Sequence, residues 1–169
     1  MIIWFTGISG VGKSTIGKKF FNKFKKQYKN TIFIDGDEFR KIFRNDLKYT
    51  LNDRNKNAAR LISFVKFLDK QKINVILAAN LTSKRNRKWC KKNLKNYYEI
   101  SINTDYKYLF KRDKKNIYNY KNKINVVGFD IPFYKTNTAR LNITNNSSKK
   151  ELFKNISKIY KLINKKKIY

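Results

Sequence analysis

Residues Gly7-Ile8-Ser9-Gly10-Val11-Gly12-Lys13-Ser14 fit the phosphate-loop pattern G-x-x-x-x-G-K-[ST] at every fixed position, directly after the apolar run Ile2-Ile3-Trp4-Phe5-Thr6. Few short patterns constrain a fold so strongly, because this one requires a buried strand before it and a helix after it. Its glycines let the backbone curl until N–H groups face phosphate oxygens, and the following helix adds its positive end. The pattern implies binding of a nucleoside triphosphate, with ATP and Mg²⁺ as expected cofactors. Residues 7–14 and Thr15 are the candidate nucleotide contacts. Lys13 is expected on the β- and γ-phosphates, and Ser14 to offer its hydroxyl to the metal.

Beyond the loop, apolar runs of strand length alternate with helix-length segments, the mark of an α/β protein. Strands are expected at Ile2 to Thr6, Thr31 to Ile34, Val75 to Ala78, Tyr98 to Ile102 and Leu141 to Ile143. Helices are expected from Ser14 to about Tyr28, from near Asp37, from Leu51 to Gln71, Lys84 to Lys95, Asp105 to Lys111 and from Ser148 onward. Thr50 with Asp53, and Ser148 with Glu151, read as capping boxes. In the last helix Leu152, Phe153, Ile156, Ile159, Tyr160 and Ile163 are expected on one face. The fold implied is a three-layer P-loop NTPase: a mostly parallel sheet of about five strands, helices on both faces, in a single domain over residues 1–169. Arg112 to Phe133, lysine-rich and weakly periodic, reads as a mobile loop over a site.

Composition narrows the chemistry. A single cysteine, Cys90, excludes an internal disulfide or a multi-cysteine zinc site, and the absence of histidine removes the commonest general base. Proton handling falls to carboxylates. No apolar stretch approaches the roughly 20 residues of a membrane span, and the start at Ile2 is too short for a signal peptide, so a cytoplasmic protein is expected. The net charge of +30 is the footprint of a nucleic-acid binder as well. Its lysines are scattered through almost every segment, however, which is compositional bias more than a binding stripe. No specific nucleic-acid partner is expected, although such a field would speed encounters with nucleotides.

In open α/β sheets ligands sit beyond the carboxyl ends of the strands. Asp35-Gly36-Asp37-Glu38-Phe39-Arg40 emerges there after the second strand. Gly36 is expected to allow a sharp turn, Asp37 is a good helix cap, and both carboxylates can face the phosphate loop. Strand three ends in Ala78-Ala79-Asn80 without an acidic residue, which favours a small-molecule kinase over a mechanical ATPase.

These residues resemble the adenylylsulfate kinase family, which phosphorylates the 3′-hydroxyl of adenosine 5′-phosphosulfate with Mg-ATP. Ile3-Trp4-Phe5-Thr6-Gly7-Ile8-Ser9-Gly10-Val11-Gly12-Lys13-Ser14-Thr15 is similar to its I-W-F-T-G-L-S-G-A-G-K-S-T. Asp35-Gly36-Asp37 with Arg40 resembles D-G-D-x-x-R, and Asp46-Leu47-Lys48-Tyr49-Thr50 resembles D-L-G-F-S. Asp53-Arg54 with Asn57 and Arg60 follows D-R-x-x-N-x-x-R, and Arg112-Asp113 with Lys115 and Tyr118 follows R-D-x-K-x-x-Y. The resemblance implies that Arg40, Arg54 and Asn57 hold the acceptor, with Tyr49 against its base. It implies that Asp37 or Asp35 orients the hydroxyl and the metal shell, that Lys13 and Lys115 neutralise the transferring phosphoryl group, and that Arg112 lies on the donor nucleotide. Lys115 to Val127 would close as a lid, and a homodimer is the oligomer suggested.

Departures bear on the acceptor. The family's A-F-I-S-P is Ala79-Asn80-Leu81-Thr82-Ser83 here, so Leu81 and Thr82 become the expected acceptor contacts. Thr82 aligns with a serine described in the family as a phosphorylated intermediate; direct in-line transfer is the expectation, with no covalent step at Thr82 or Ser83. The family's N-F-T-G-I-D is Asn125-Val126-Val127-Gly128-Phe129-Asp130, placing Val126 where a phenylalanine would stack on the base. Losing one stacking partner is worth on the order of 1–3 kcal/mol. The readings are therefore adenylylsulfate kinase; a same-fold kinase for another 5′-modified nucleotide, such as a cytidine diphosphate derivative, or a small metabolite; and, third, a basic nucleic-acid-binding P-loop protein.

Overall fold

A computed structural model describes residues 1–113, 118, 124–133, 139–146 and 149–164. Its five strands are β1 (Ile2–Thr6), β2 (Thr31–Asp35), β3 (Asn74–Ala78), β4 (Tyr97–Asn103) and β5 (Leu141–Thr144). They form one sheet in the order β2-β3-β1-β4-β5, and every pairing is parallel. The helices are α1 (Lys13–Gln27), α2 (Gly36–Ile42), α3 (Leu51–Lys70), α4 (Lys84–Asn93), α5 (Tyr106–Lys111) and α6 (Lys149–Asn164).

The continuous apolar run of β1 is explained by burial on both faces. Ile3 and Phe5 join one core with Ile16, Phe20 and Phe24 of α1 and Ile156 and Ile159 of α6. Ile2 and Trp4 point the other way, into a core with Leu61 and Val65 of α3 and Cys90 of α4. The three-layer arrangement expected from the sequence is thus present. It is all-parallel, which is stricter than the expectation.

Local chemistry sets the element ends. Thr50 caps α3, its Oγ1 accepting from Asp53 N at 3.1 Å, as the sequence predicts. Ser148 lies outside the described residues. In α6, Leu152, Ile156, Ile159 and Ile163 are buried as expected, but Phe153 is 62% exposed. A continuous apolar stripe on a helix is narrower than the list of apolar residues, and Phe153 falls outside it. Among the described residues no helix is long and apolar enough to cross a membrane.

Cys90 is buried, and desolvation, with the Glu99 charge as a lesser cause, pushes its thiol up to about 12. The thiolate is the reactive form. Native protein is therefore expected to leave Cys90 unlabelled by a maleimide at neutral pH, with one equivalent incorporated after denaturation. Rapid native labelling, read by intact mass, would contradict this burial.

Candidate active site

The connection after β1 passes to α1 on one face and the connection after β3 passes to α4 on the other, so a crevice opens beyond the carboxyl ends of these adjacent strands. Residues 7–14 curl into that crevice. Gly12 has φ +94°, and a Cβ there would lie 2.4 Å from Asn145 Nδ2. Both the backbone conformation and the contact demand glycine. Lys13 Nζ donates to the carbonyls of Gly7 (3.0 Å) and Ile8 (2.8 Å), bringing its cation back over its own loop. Ile8, Ser9, Gly12 and Lys13 are half-buried, Gly10, Ser14 and Thr15 are exposed, and Val11 is fully buried as a packing residue.

Ser14 Oγ donates to the Asp35 carboxylate, joining the phosphate loop to the end of β2. The other carboxylate oxygen accepts from Asp37 N at 2.9 Å, so Asp35, rather than Asp37, is the cap of α2. Gly36 also has a different role from the sharp turn expected. It starts the helix with no left-handed φ, and a Cβ there would meet Ala79 Cβ at 2.8 Å, so glycine serves a close approach of α2 to the end of β3. Asp37 is exposed beside it.

These residues border an open cleft of about 1070 Å³ whose lining includes Ser14, Asp35, Asp37, Leu47, Lys48 and Tyr49. On the Tyr49 side, two guanidinium groups flank one ring: Arg40 Cζ lies 4.9 Å and Arg54 Cζ 5.3 Å from its centroid. Arg40 is 7% exposed and donates from Nη1 to the carbonyls of Leu47 and Lys48, each at 3.3 Å. Arg54 donates from Nε to Tyr49 O (2.9 Å) and from Nη2 to Asn125 O (2.7 Å). Burial, and next the nearby Arg40 charge, lower the Arg54 pKa. Two cations held this close favour an anion between or beside them. Asn57, one turn along α3 from Arg54, is buried.

The other motif residues divide between site and scaffold. Arg60 pairs both its terminal nitrogens with Asp46, at 2.8 Å each, and its guanidinium holds the Asp46 carboxyl below the usual range. That pair braces the α2–α3 connection. Leu81 is fully buried and Thr82 is 7% exposed. Leu81 therefore offers a ligand no side chain, and its carbonyl is already taken by Arg87 Nε at 2.7 Å. Val126 is likewise a core residue, 8% exposed, and not an open wall of the cleft. Arg112 donates from Nη2 to Asn145 O at 2.9 Å, beside the phosphate loop. Lys115 and most of the expected lid lie outside the described residues. The described parts of that segment are packed: Tyr118 is 3% exposed, and Val127 and Ile131 are buried.

Three residues carry weight here that the sequence reading left unassigned. Tyr118 Oη donates to Ser9 O at 2.7 Å, and Asn145 Nδ2 donates to Val11 O at 2.7 Å. Glu99, in the middle of β4, is 1% exposed and forms an ion pair with Arg87. Glu99 was legible as a charge interrupting the apolar run Tyr98 to Ile102. Nothing in the pattern around Asn145 marks it out.

With this geometry in place, the sequence profile of the adenylylsulphate kinase family matches residues 1–144. The chain belongs to the adenylylsulphate kinase family. It is 39% identical over 163 residues to the cytidine diphosphoramidate kinase of Campylobacter jejuni, covering 95% of this chain and 94% of that protein. It is 33% identical over 121 residues to the adenylyl-sulfate kinase of Buchnera aphidicola (subspecies Acyrthosiphon pisum), covering 70% of this chain and 58% of that one. The solved APS kinase of Mycobacterium tuberculosis, in complex with AMPPNP and APS, superposes with a TM-score of 0.82 over 96% of each chain at 23% identity, a likeness of fold. The family's members are kinases, and this chain is an ATP-dependent phosphotransferase.

Proposed function

We propose that this kinase transfers the γ-phosphate of ATP to a ribose hydroxyl of a cytidine diphosphate derivative, with cytidine diphosphoramidate the first acceptor to test. The observation that carries this reading is the 39% identity to the C. jejuni cytidine diphosphoramidate kinase over nearly the whole of both chains. Identity to the B. aphidicola adenylyl-sulfate kinase is lower and stops at 70% of this chain. Val126, where the family's stacking phenylalanine stands, is a buried packing residue here and does not distinguish the two acceptors. The second reading is adenosine 5′-phosphosulfate, phosphorylated on its 3′-hydroxyl to 3′-phosphoadenylyl sulfate. The five motifs of the adenylylsulfate kinases favour it.

Either acceptor fits the same division of labour. Arg40 and Arg54 would bind the acceptor's anionic 5′ group, and the exposed Tyr49 ring would take one face of its base. Asp37, at the edge of the cleft, would accept a hydrogen bond from the attacking hydroxyl and orient it. A strong base is unnecessary, because the transition state is loose and catalysis rests on placement and charge neutralisation. Lys13 and Lys115 would balance charge on the transferring group.

The Ser14 hydroxyl and the Asp35 carboxylate meet as a pair of hard oxygen donors, a set that suits Mg²⁺, which keeps waters and substrate phosphates in its shell. Among the described residues no cluster of three His, Cys, Asp or Glu groups offers an all-protein cage. Bound there, the ion would neutralise charge shared by the β- and γ-phosphates.

The test is ADP release by the purified protein with Mg-ATP and each acceptor in turn. We expect kcat/KM at least tenfold higher for cytidine diphosphoramidate than for adenosine 5′-phosphosulfate. The reverse order would replace this reading with the second.

A further inference from the structure

The phosphate loop is gripped from outside at two alternate carbonyls. Tyr118 Oη donates to the carbonyl of Ser9, and Asn145 Nδ2 donates to the carbonyl of Val11, each at 2.7 Å. The Asn145 grip is buried and the Tyr118 grip is shielded on the tyrosine side, Tyr118 being 3% and Asn145 8% exposed. No peptide bond in the described chain is cis. In a planar trans peptide the C=O and the following N–H point in opposite directions. A carbonyl held outward therefore aims the next N–H inward. Fixing Ser9 C=O aims Gly10 N–H, and fixing Val11 C=O aims Gly12 N–H, toward the side where the nucleotide phosphates bind. Gly10 and Gly12 have φ of +74° and +94°, as an alternating anion-binding nest requires.

We infer that Tyr118 and Asn145 are positioning residues for phosphoryl transfer, which clamp the Ser9–Gly10 and Val11–Gly12 peptides so that two N–H donors are aimed at the phosphates before ATP arrives. Each clamp is itself held. The Tyr118 ring packs 5.2 Å from Phe129 and 6.0 Å from Phe110, centroid to centroid. The Asn145 backbone carbonyl accepts from Arg112 Nη2 (2.9 Å) and from Thr104 Oγ1 (2.7 Å), and its N–H donates to Asn103 O at 2.8 Å. Asn145 thus ties the end of β5, and the arginine expected on the donor nucleotide, to the loop. A preorganised donor costs no reorganisation when charge develops, so the clamps act on both ATP affinity and turnover.

Tyr118→Phe removes one hydroxyl and keeps the ring in place. Asn145→Asp keeps the shape but replaces the donor with a carboxylate facing a carbonyl. Binding of the non-hydrolysable analogue AMPPNP with Mg²⁺, measured by calorimetry, needs no acceptor and so stands apart from the acceptor reading. We expect Kd to rise three- to tenfold for Tyr118→Phe, the range for one lost neutral hydrogen bond, and at least tenfold for Asn145→Asp. Adenosine affinity should stay within twofold in both, because the effect is directed at the phosphates. A general loosening would weaken adenosine and AMPPNP alike and would overturn the proposal. So would a folded Tyr118→Phe protein that binds AMPPNP as the native one does. If Asn145→Asp fails to fold, Tyr118→Phe decides alone.

Discussion

Replacing Lys13 with alanine is expected to lower kcat by at least about 10²–10³-fold, the cost of removing one preorganised charge from a developing transition state. The side chain is partly buried at the loop and donates to the Gly7 and Ile8 carbonyls, both within the phosphate loop itself. Its positive charge thus sits on the phosphate loop, where the proposed mechanism has it balance charge on the transferring γ-phosphate. It contributes nothing to either apolar core, so the melting temperature should change little. The measurement is ADP release with Mg-ATP at saturating acceptor, beside a thermal melt. A folded Lys13→Ala protein with native turnover would refute the placement of Lys13 on the transferring phosphate. A variant that bound AMPPNP more weakly but kept native kcat at saturating ATP would refute the charge argument in favour of loop shape.

The phosphate loop, the order of elements and the five strands were legible because they rest on local rules: glycine spacing, alternating burial and cap chemistry. The pairing of Thr50 with Asp53 is of that kind. What escaped the sequence depends on contacts across the fold. Gly36 looked like a turn residue, because Asp-Gly is turn chemistry, yet its close neighbour is Ala79, which the chain brings up only after α3 and β3. Leu81 and Val126 sit at motif positions, so they read as pocket residues. Their burial follows from how β3 and the 125–131 segment seat on the sheet. Asn145 lies 134 positions from the carbonyl it holds. No local pattern encodes such a contact.

The second large effect expected is on stability. Glu99 occupies β4 on the face opposite Tyr98, Ile100 and Ile102, where its side chain is 1% exposed, and Arg87 of α4 reaches it at 3.5 Å with 3% exposure. Arg87 also donates from Nε to Leu81 O, and its guanidinium lies 5.1 Å from the centre of the Phe133 ring. Burial lowers the Arg87 pKa, with Glu99 pulling it back up. A pair this dry gains little over apolar residues of the same size, but removing one partner strands a charge. Arg87→Met should therefore cost about 3–5 kcal/mol, a fall of roughly 6–20 °C in melting temperature for a domain of this size. Pairing it with Glu99→Leu should restore most of that loss, because neither charge is then left in the interior. The difference between single and double variants in a thermodynamic cycle isolates the pair from the Leu81 hydrogen bond, which both variants lack. Equal destabilisation by Arg87→Met with and without Glu99→Leu would assign the effect to the Leu81 contact and remove the ion pair from the account of how α4 is held against β4.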